Sequence, residues 1–150
     1  MKPMKIPRIK SGTVIDHITA GNAVKVLRIL DIPQKQSSTV SVAINVKGKM
    51  GKKDIVKVEN REIARTEVDK IALIAPKATI NIIRDYEVTE KHRVKLPDEL
   101  VGIAKCSNPT CISNSGEPVE SRFIVLDKEK PRIQCYYCDR EPDDIASRIL

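Results

Sequence analysis

Apolar positions in the first part of the chain switch between two periods, one of two residues and one near 3.6, the signatures of strand and helix. Thr13 to Ile18 is a short β-rich run. From Gly21 to Leu30 the residues Val24, Leu27 and Leu30, with Ala23 and Val26 beside them, recur at helical spacing, and Pro33 forbids continuation. Thr39 to Val46 alternates strictly. Val40, Val42, Ile44 and Val46 share one face and Ser41, Ala43 and Asn45 the other, as in a half-buried strand. Gly48 and Gly51 mark a turn, and Asp54 to Glu59 is the return strand, with Val56 and Val58 facing one way and Ile55, Lys57 and Glu59 the other. From Thr66 the helical period returns. Val68, Ile71, Ala72 and Ala75 line one face, Thr66 is placed to cap the first turn with Asp69 three residues on, and Pro76 ends the run. Ala78 to Val88 is β in character again.

The predicted order is β-α-β-β-α-β. Two right-handed crossovers joined by a hairpin give an antiparallel four-stranded sheet with both helices on one face, the ferredoxin-like arrangement. Its other face is left to water, a ligand or a partner. Between about Glu90 and Ala104 the pattern lapses into a charged stretch containing Pro97, which reads as a domain boundary. The fold class is α+β, with a ferredoxin-like domain over residues 1–95 and a small all-β domain over residues 96–150. A piece as short as the second buries too little apolar surface to fold readily without a metal, disulfides or a partner.

Four cysteines answer that need. Cys106 and Cys111 form one close pair and Cys135 and Cys138 another, with Phe123 to Leu126 and Arg132 to Gln134 as strands between them. Two short knuckles carrying soft thiolates match a tetrahedral four-thiolate zinc site. Four protein ligands leave no open coordination position, so one Zn2+ would be structural and not catalytic. Two disulfides would suit an exported chain, and an iron-sulfur cluster a redox protein; Met1 to Lys10 lacks a secretory signal's apolar core, and nothing else points to redox work.

Charge divides the chain in the same place. Met1 to Lys91 holds 18 Lys+Arg against 10 Asp+Glu, while His92 to Leu150 holds 9 against 10, so the overall +7 belongs to the first part. Basicity suggests a polyanionic partner. Lys47, Lys49, Lys52 and Lys53 cluster at a hairpin tip and read most simply as solvated turn residues, whereas Lys57 lies inside a strand and must either snorkel or meet an anion. Aromatics are 3% of the chain and Tyr86 is the one aromatic in the basic part, which argues against a stacking platform for nucleic acid. The metal segment's slight acidity argues the same way against a zinc ribbon gripping RNA or DNA. Neither His17 nor His92 sits where periodicity would pair it with a nucleophile, and no glycine-rich phosphate loop or dinucleotide fingerprint occurs. No segment has the roughly 18 uncharged apolar residues of a membrane span, so a soluble, cytoplasmic protein is expected.

Several segments together carry a family likeness. Gly12-Thr13-Val14-Ile15-Asp16-His17-Ile18, Gly51-Lys52-Lys53-Asp54 with Lys57-Val58-Glu59-Asn60, Ala75-Pro76-Lys77-Ala78-Thr79 with Asn81, Tyr86-Glu87-Val88, and Cys111-Ile112-Ser113 resemble the regulatory chains of aspartate carbamoyltransferase. The likeness runs in register from about Lys10 to Cys138, with the cysteine pairs at the family spacing. It implies a non-catalytic subunit of pyrimidine biosynthesis. Its N-terminal domain would bind the nucleotides CTP and ATP and pair with a second regulatory chain. The zinc domain would dock on the catalytic chain. Carried over by position, the nucleotide pocket would use Asp16, His17, Lys57, Asn81, Tyr86, Val88 and Lys91, with Ile6 and Ile9 near the base; the metal would sit on Cys106, Cys111, Cys135 and Cys138. Lys57 and Lys91 supply the cations a triphosphate needs, Asp16 can accept a ribose hydroxyl, and the backbone at Tyr86 and Val88 can read a base edge. Thr19 departs from the proline common after the His-Ile pair, Pro109-Thr110 replace a more polar pair, and the residues from Glu141 on show little likeness.

Overall fold

The computed structural model describes residues 8–34 and 38–150. Strands β1 (Gly12–Thr19), β2 (Val40–Gly48), β3 (Gly51–Glu59), β4 (Thr79–Arg84) and β5 (Glu87–Arg93) form one antiparallel sheet in the order β2-β3-β1-β4-β5. Helices α1 (Ala23–Ile29) and α2 (Arg65–Ile74) make the two crossovers. Without β5 the order is that of the ferredoxin-like fold. Alternation places Ile15, Ile18, Val56, Val58, Ile80 and Ile82 on one face, where they pack with Ala23, Val26 and Leu30 of the first helical segment and Val68, Ile71 and Ala72 of the second. Among the described residues no helix covers the opposite face.

Four local readings change. The run Ala78 to Val88 is not one strand: Asp85 and Tyr86 both adopt left-handed backbone (φ 51° and 66°), the two-residue turn that matches strand twist, and β5 returns through Arg93. Helix α2 is capped not by Thr66 but at Ala64, whose amide donates to the Glu67 carboxylate at 2.9 Å. In α1, Val24 is 67% exposed, and the buried stripe is Ala23, Val26 and Leu30. On β2, Val42 and Ile44 are 40% and 53% exposed, because an edge strand outreaches the helices that cover its neighbours.

The stretch from Glu90 to Ala104 is ordered as the end of β5, the buried Val94 and Leu96, and β6 (Glu99–Val101). Strand β6 pairs with β7 (Arg122–Asp127), which pairs with β8 (Arg132–Cys135), a three-stranded sheet around the fully buried Phe123. One core runs through both sheets, since Leu96, Leu100, Phe123 and Ile133 belong to the same buried cluster as Ile71 and Ile80. Helix α3 (Ile145–Arg148) and the residues after it fold back over the junction. The Lys105 amide donates to the Arg148 carbonyl at 2.7 Å, the Leu150 amide to the Ile103 carbonyl at 2.9 Å, and the Arg28 guanidinium of α1 to the Ala146 carbonyl. Among the described residues no helix is long and apolar enough to cross a membrane.

Candidate functional site

Sheet register builds a row of side chains across the uncovered face. Ser41 on β2 pairs with Lys57 on β3, Lys57 with Val14 on β1, Val14 with Asn81 on β4, and Asn81 with Lys91 on β5. Each strand contributes one residue, and Lys57 and Lys91 stand three strand spacings apart, about 14 Å. A parallel row at one end holds Asp16, Thr79 and Arg93; another at the other end holds Glu59, Gly12, Ile83 and Val88. Gly12 leaves that second row open: a Cβ there would lie 2.1 Å from the Val58 carbonyl oxygen, and its φ is 141°. Tyr86, 59% exposed, sits in the β4–β5 turn, where its amide donates to the Lys10 carbonyl at 2.9 Å. Ile9 is buried apart from the main core. Of the residues expected in the nucleotide pocket, Asp16, Lys57, Asn81, Val88 and Lys91 are thus brought to one face, with Tyr86 at its rim; Ile6 lies outside the described residues.

His17 occupies a bulge in β1 with left-handed backbone (φ 56°). Its amide donates to Asp16 at 2.6 Å, and its Nδ1 lies 3.2 Å from the Thr79 hydroxyl. Asp16 in turn pairs with Lys53 Nζ at 2.9 Å. The hairpin-tip reading of that lysine is therefore superseded, since Lys53 turns onto the uncovered face and pairs with Asp16. Its signal was its place one residue before Asp54, at a position that alternates with Ile55 and Lys57 along β3. Arg8 was missed as well. It is close enough to act on Lys57: burial lowers that lysine's pKa, Asp16 raises it, and the Arg8 charge lowers it further.

The second candidate site is the cysteine cluster. All four sulfurs lie within 4.8 Å of one another, with Cys106 and Cys138 3.5 Å apart and Cys111 and Cys135 3.7 Å apart. These are not disulfide distances, and all four thiols are free. Four sulfurs around an ion at about 2.3 Å would be spaced by about 3.8 Å, so the donor set fits a tetrahedral metal. The Asn108 amide donates to the Cys106 sulfur at 3.4 Å, and Asn114 braces the first knuckle by donating to the Cys106 and Asn108 carbonyls at 3.0 and 2.8 Å. Burial pushes the Cys106 thiol up to about 12 and raises Cys135 too. For Cys138 burial also pushes upward, but donors from Arg140, Cys106 and Asn108 outweigh it and bring it to about 7.

A cavity of about 400 Å3 lies beside the first knuckle, lined in part by Lys105, Ser113, Asn114, Glu120 and Ser121, and the buried Ser121 hydroxyl has no hydrogen-bond partner among the described residues. Another, of about 370 Å3, lies between the sheets against Pro76, Arg93 and Lys128. Neither is lined by Lys53, Lys57, Asn81 or Lys91, and only Arg93 is shared with the charged face. No described constellation of nucleophile and base accompanies either site.

Fold and sites together define a two-module chain, an open-faced βαββαβ sheet joined to a four-thiolate metal module. A family model described as "Aspartate carbamoyltransferase regulatory chain, allosteric domain" matches residues 4–95, and one for the same chain's metal binding domain matches residues 98–145. The aspartate carbamoyltransferase regulatory chain of Methanothrix thermoacetophila is 55% identical over 99% of this chain and 98% of its own length. Those of Methanothermobacter thermautotrophicus and Thermococcus sibiricus are 53% and 51% identical, over 97% and 96% of this chain and 95% of each relative. The chain belongs to the aspartate carbamoyltransferase regulatory chain family. It is a non-catalytic, regulatory subunit, and its partner is a catalytic chain of that enzyme.

Proposed function

We propose that the uncovered sheet face of residues 1–95 binds the nucleotide effectors CTP and ATP, and that residues 96–150 hold one structural Zn2+ and dock on the catalytic chain. The observation that carries the first part is the row Lys57, Val14, Asn81, Lys91, with Lys53, Arg8 and Arg93 nearby. Lys53, Lys57, Lys91 and Arg93 on one face, with Arg8 close enough to act on Lys57, suit a triphosphate. Asn81, Asp16 and the exposed backbone around Tyr86 and Val88 offer the donors and acceptors that distinguish a base and a ribose from bare phosphate. Binding at one site that alters activity at another is a coupling free energy, and a regulatory chain is the element that carries it. Control of carbamoyl transfer to aspartate by pyrimidine and purine nucleotides would belong to pyrimidine biosynthesis, in the cytoplasm.

Cys106, Cys111, Cys135 and Cys138 would hold the zinc, which when bound supplies no reaction but a rigid crosslink between the two knuckles. Ile112, Val101 and Tyr136, all about half exposed, give the metal module an apolar surface suited to docking. A second copy of the chain would meet the free edge of β2.

Titration of the purified chain with CTP, alongside a mixed-sequence oligonucleotide, tests the effector reading. Saturable CTP binding that Lys57→Ala and Lys91→Ala each weaken by about 10- to 100-fold is expected, because each removes a charge-assisted contact. Tight, salt-dependent oligonucleotide binding with no CTP site would overturn it.

A further inference from the structure

Asp54 is the one charged residue among the described residues that is fully buried. Its carboxylate accepts three backbone amides: those of Gly21 and Ala23 on one oxygen, at 2.9 and 3.1 Å, and that of Asn45 on the other, at 3.0 Å. The first two belong to the connection into α1 and to its first residue. The third belongs to a bulge in the edge strand β2, where Asn45 has left-handed backbone (φ 60°) and the register with β3 shifts between Ala43 and Val46. On the other side of β3, the register with β1 shifts between Ile15 and Ile18, the bulge that carries Asp16 and His17. Asp54 therefore sits on the strand between two bulges, one at the charged face and one at the sheet edge.

Its neighbour faces the other way. Lys53 rises to the open face and pairs with Asp16, while Asp54 descends into the core. A polyanion on the face competes with Asp16 for the Lys53 ammonium. The two residues are adjacent in β3, and Asp54 is clamped by three amides, so the backbone between them joins the open face to those hydrogen bonds.

We propose, resting on the nucleotide reading above, that Asp54 is a positioning residue for the effector face, and that Lys53 and Asp54 together carry the occupancy of that face to the bulge of β2 and the start of α1. By reciprocity, whatever clamps the β2 edge alters affinity at the face. Asp54→Asn is the informative change. The amide has a single acceptor oxygen, so it can serve Gly21 and Ala23 or Asn45, and it must turn an N–H toward the amides it abandons.

The experiment is amide hydrogen exchange on the full chain, read at Gly21, Ala23 and Asn45 with and without saturating CTP, together with CTP affinity of Asp54→Asn and Lys53→Met. Exchange at Asn45 is expected to slow on CTP binding in the wild type. Both variants should bind CTP about tenfold more weakly or worse, and in Asp54→Asn the CTP response at Asn45 should vanish. CTP binding that leaves exchange at all three amides unchanged overturns the proposal, as does a folded Asp54→Asn chain with wild-type affinity. Should Asp54→Asn fail to fold, the wild-type exchange result decides alone. Absence of CTP binding by the wild-type chain would bring down the effector reading and this proposal with it, an outcome distinct from binding without transmission.

Discussion

Lys57 sits mid-strand with part of its length withdrawn from water, and the Arg8 charge adds to the burial that lowers its pKa while Asp16 opposes it. The folded chain thus holds this proton less willingly than the unfolded chain does. The sign for stability follows: the contribution favours the fold fully above the unfolded lysine's pKa and is lost as pH falls through the lower, folded value. For an anionic ligand the sign reverses, since a phosphate needs the ammonium. CTP affinity should therefore decline as pH rises, beginning below the pKa of an ordinary lysine, and Lys57→Arg should push the decline to higher pH; calorimetric titration across alkaline pH checks both. Gly12 is a second residue with no substitute. Gly12→Ala forces a methyl group onto the Val58 carbonyl, and a loss of about 3 kcal/mol is expected from urea unfolding, with an unchanged m value. Lys57 was legible in the sequence because strict alternation placed it on the face opposite Val56 and Val58. Lys53 was not, since a lysine next to a glycine turn looks solvated until the β1 bulge brings Asp16 to it. Arg8 precedes all periodic pattern and had no signal of its own.

Elements were legible where period and punctuation agreed, and failed where a turn lacked its usual residue. Asp85-Tyr86 makes a left-handed two-residue turn without asparagine-glycine chemistry, so β4 and β5 read as one run. A tyrosine in that conformation costs about 1 kcal/mol that glycine would not. Tyr86→Gly should accordingly stabilise the domain by about that amount in thermal melts while weakening nucleotide binding, which would assign the tyrosine's presence to the ligand. At the other edge, the alternation of β2 holds through Val40 and Val42, but the bulge at Asn45 shifts the register, so that Val46 pairs with Lys53 on the opposite face. Val42 and Ile44 are exposed because none of the described residues covers them. An uncovered edge with a free hydrogen-bonding side is suited to a second copy. Val42→Lys with Ile44→Lys should shift the chain from dimer to monomer in sedimentation equilibrium, with nucleotide binding to each monomer retained.

At the scale of the molecule, the charge split and the cysteine spacing made two modules visible, but not the core they share. Sequence patterns end at the charged stretch before β6, whereas Leu96, Leu100 and Phe123 join the cluster that α2 and the first sheet build, and the fold-back of α3 ties Arg28 to Ala146. Such contacts between distant segments carry no period to read. Removing zinc with a chelator should therefore unfold the metal module, abolish docking on the catalytic chain and lower the melting temperature of the first domain, which still folds and binds CTP. Calorimetry with and without chelator, followed by CTP titration, tests this; an unchanged first transition would show that the shared core adds nothing. The proposed nucleotide site, assembled from residues of the four strands β1, β3, β4 and β5, has a further consequence. It would exist only when those four strands have closed, so a nucleotide held there would bind the finished fold and nothing earlier. A ligand of that kind at about 100 times its Kd adds about 2.7 kcal/mol to the folded state. Cells rich in nucleotide would thereby shelter newly made chains from proteolysis, and starved cells would clear them sooner, tying the abundance of the subunit to the same small molecules that govern its signal.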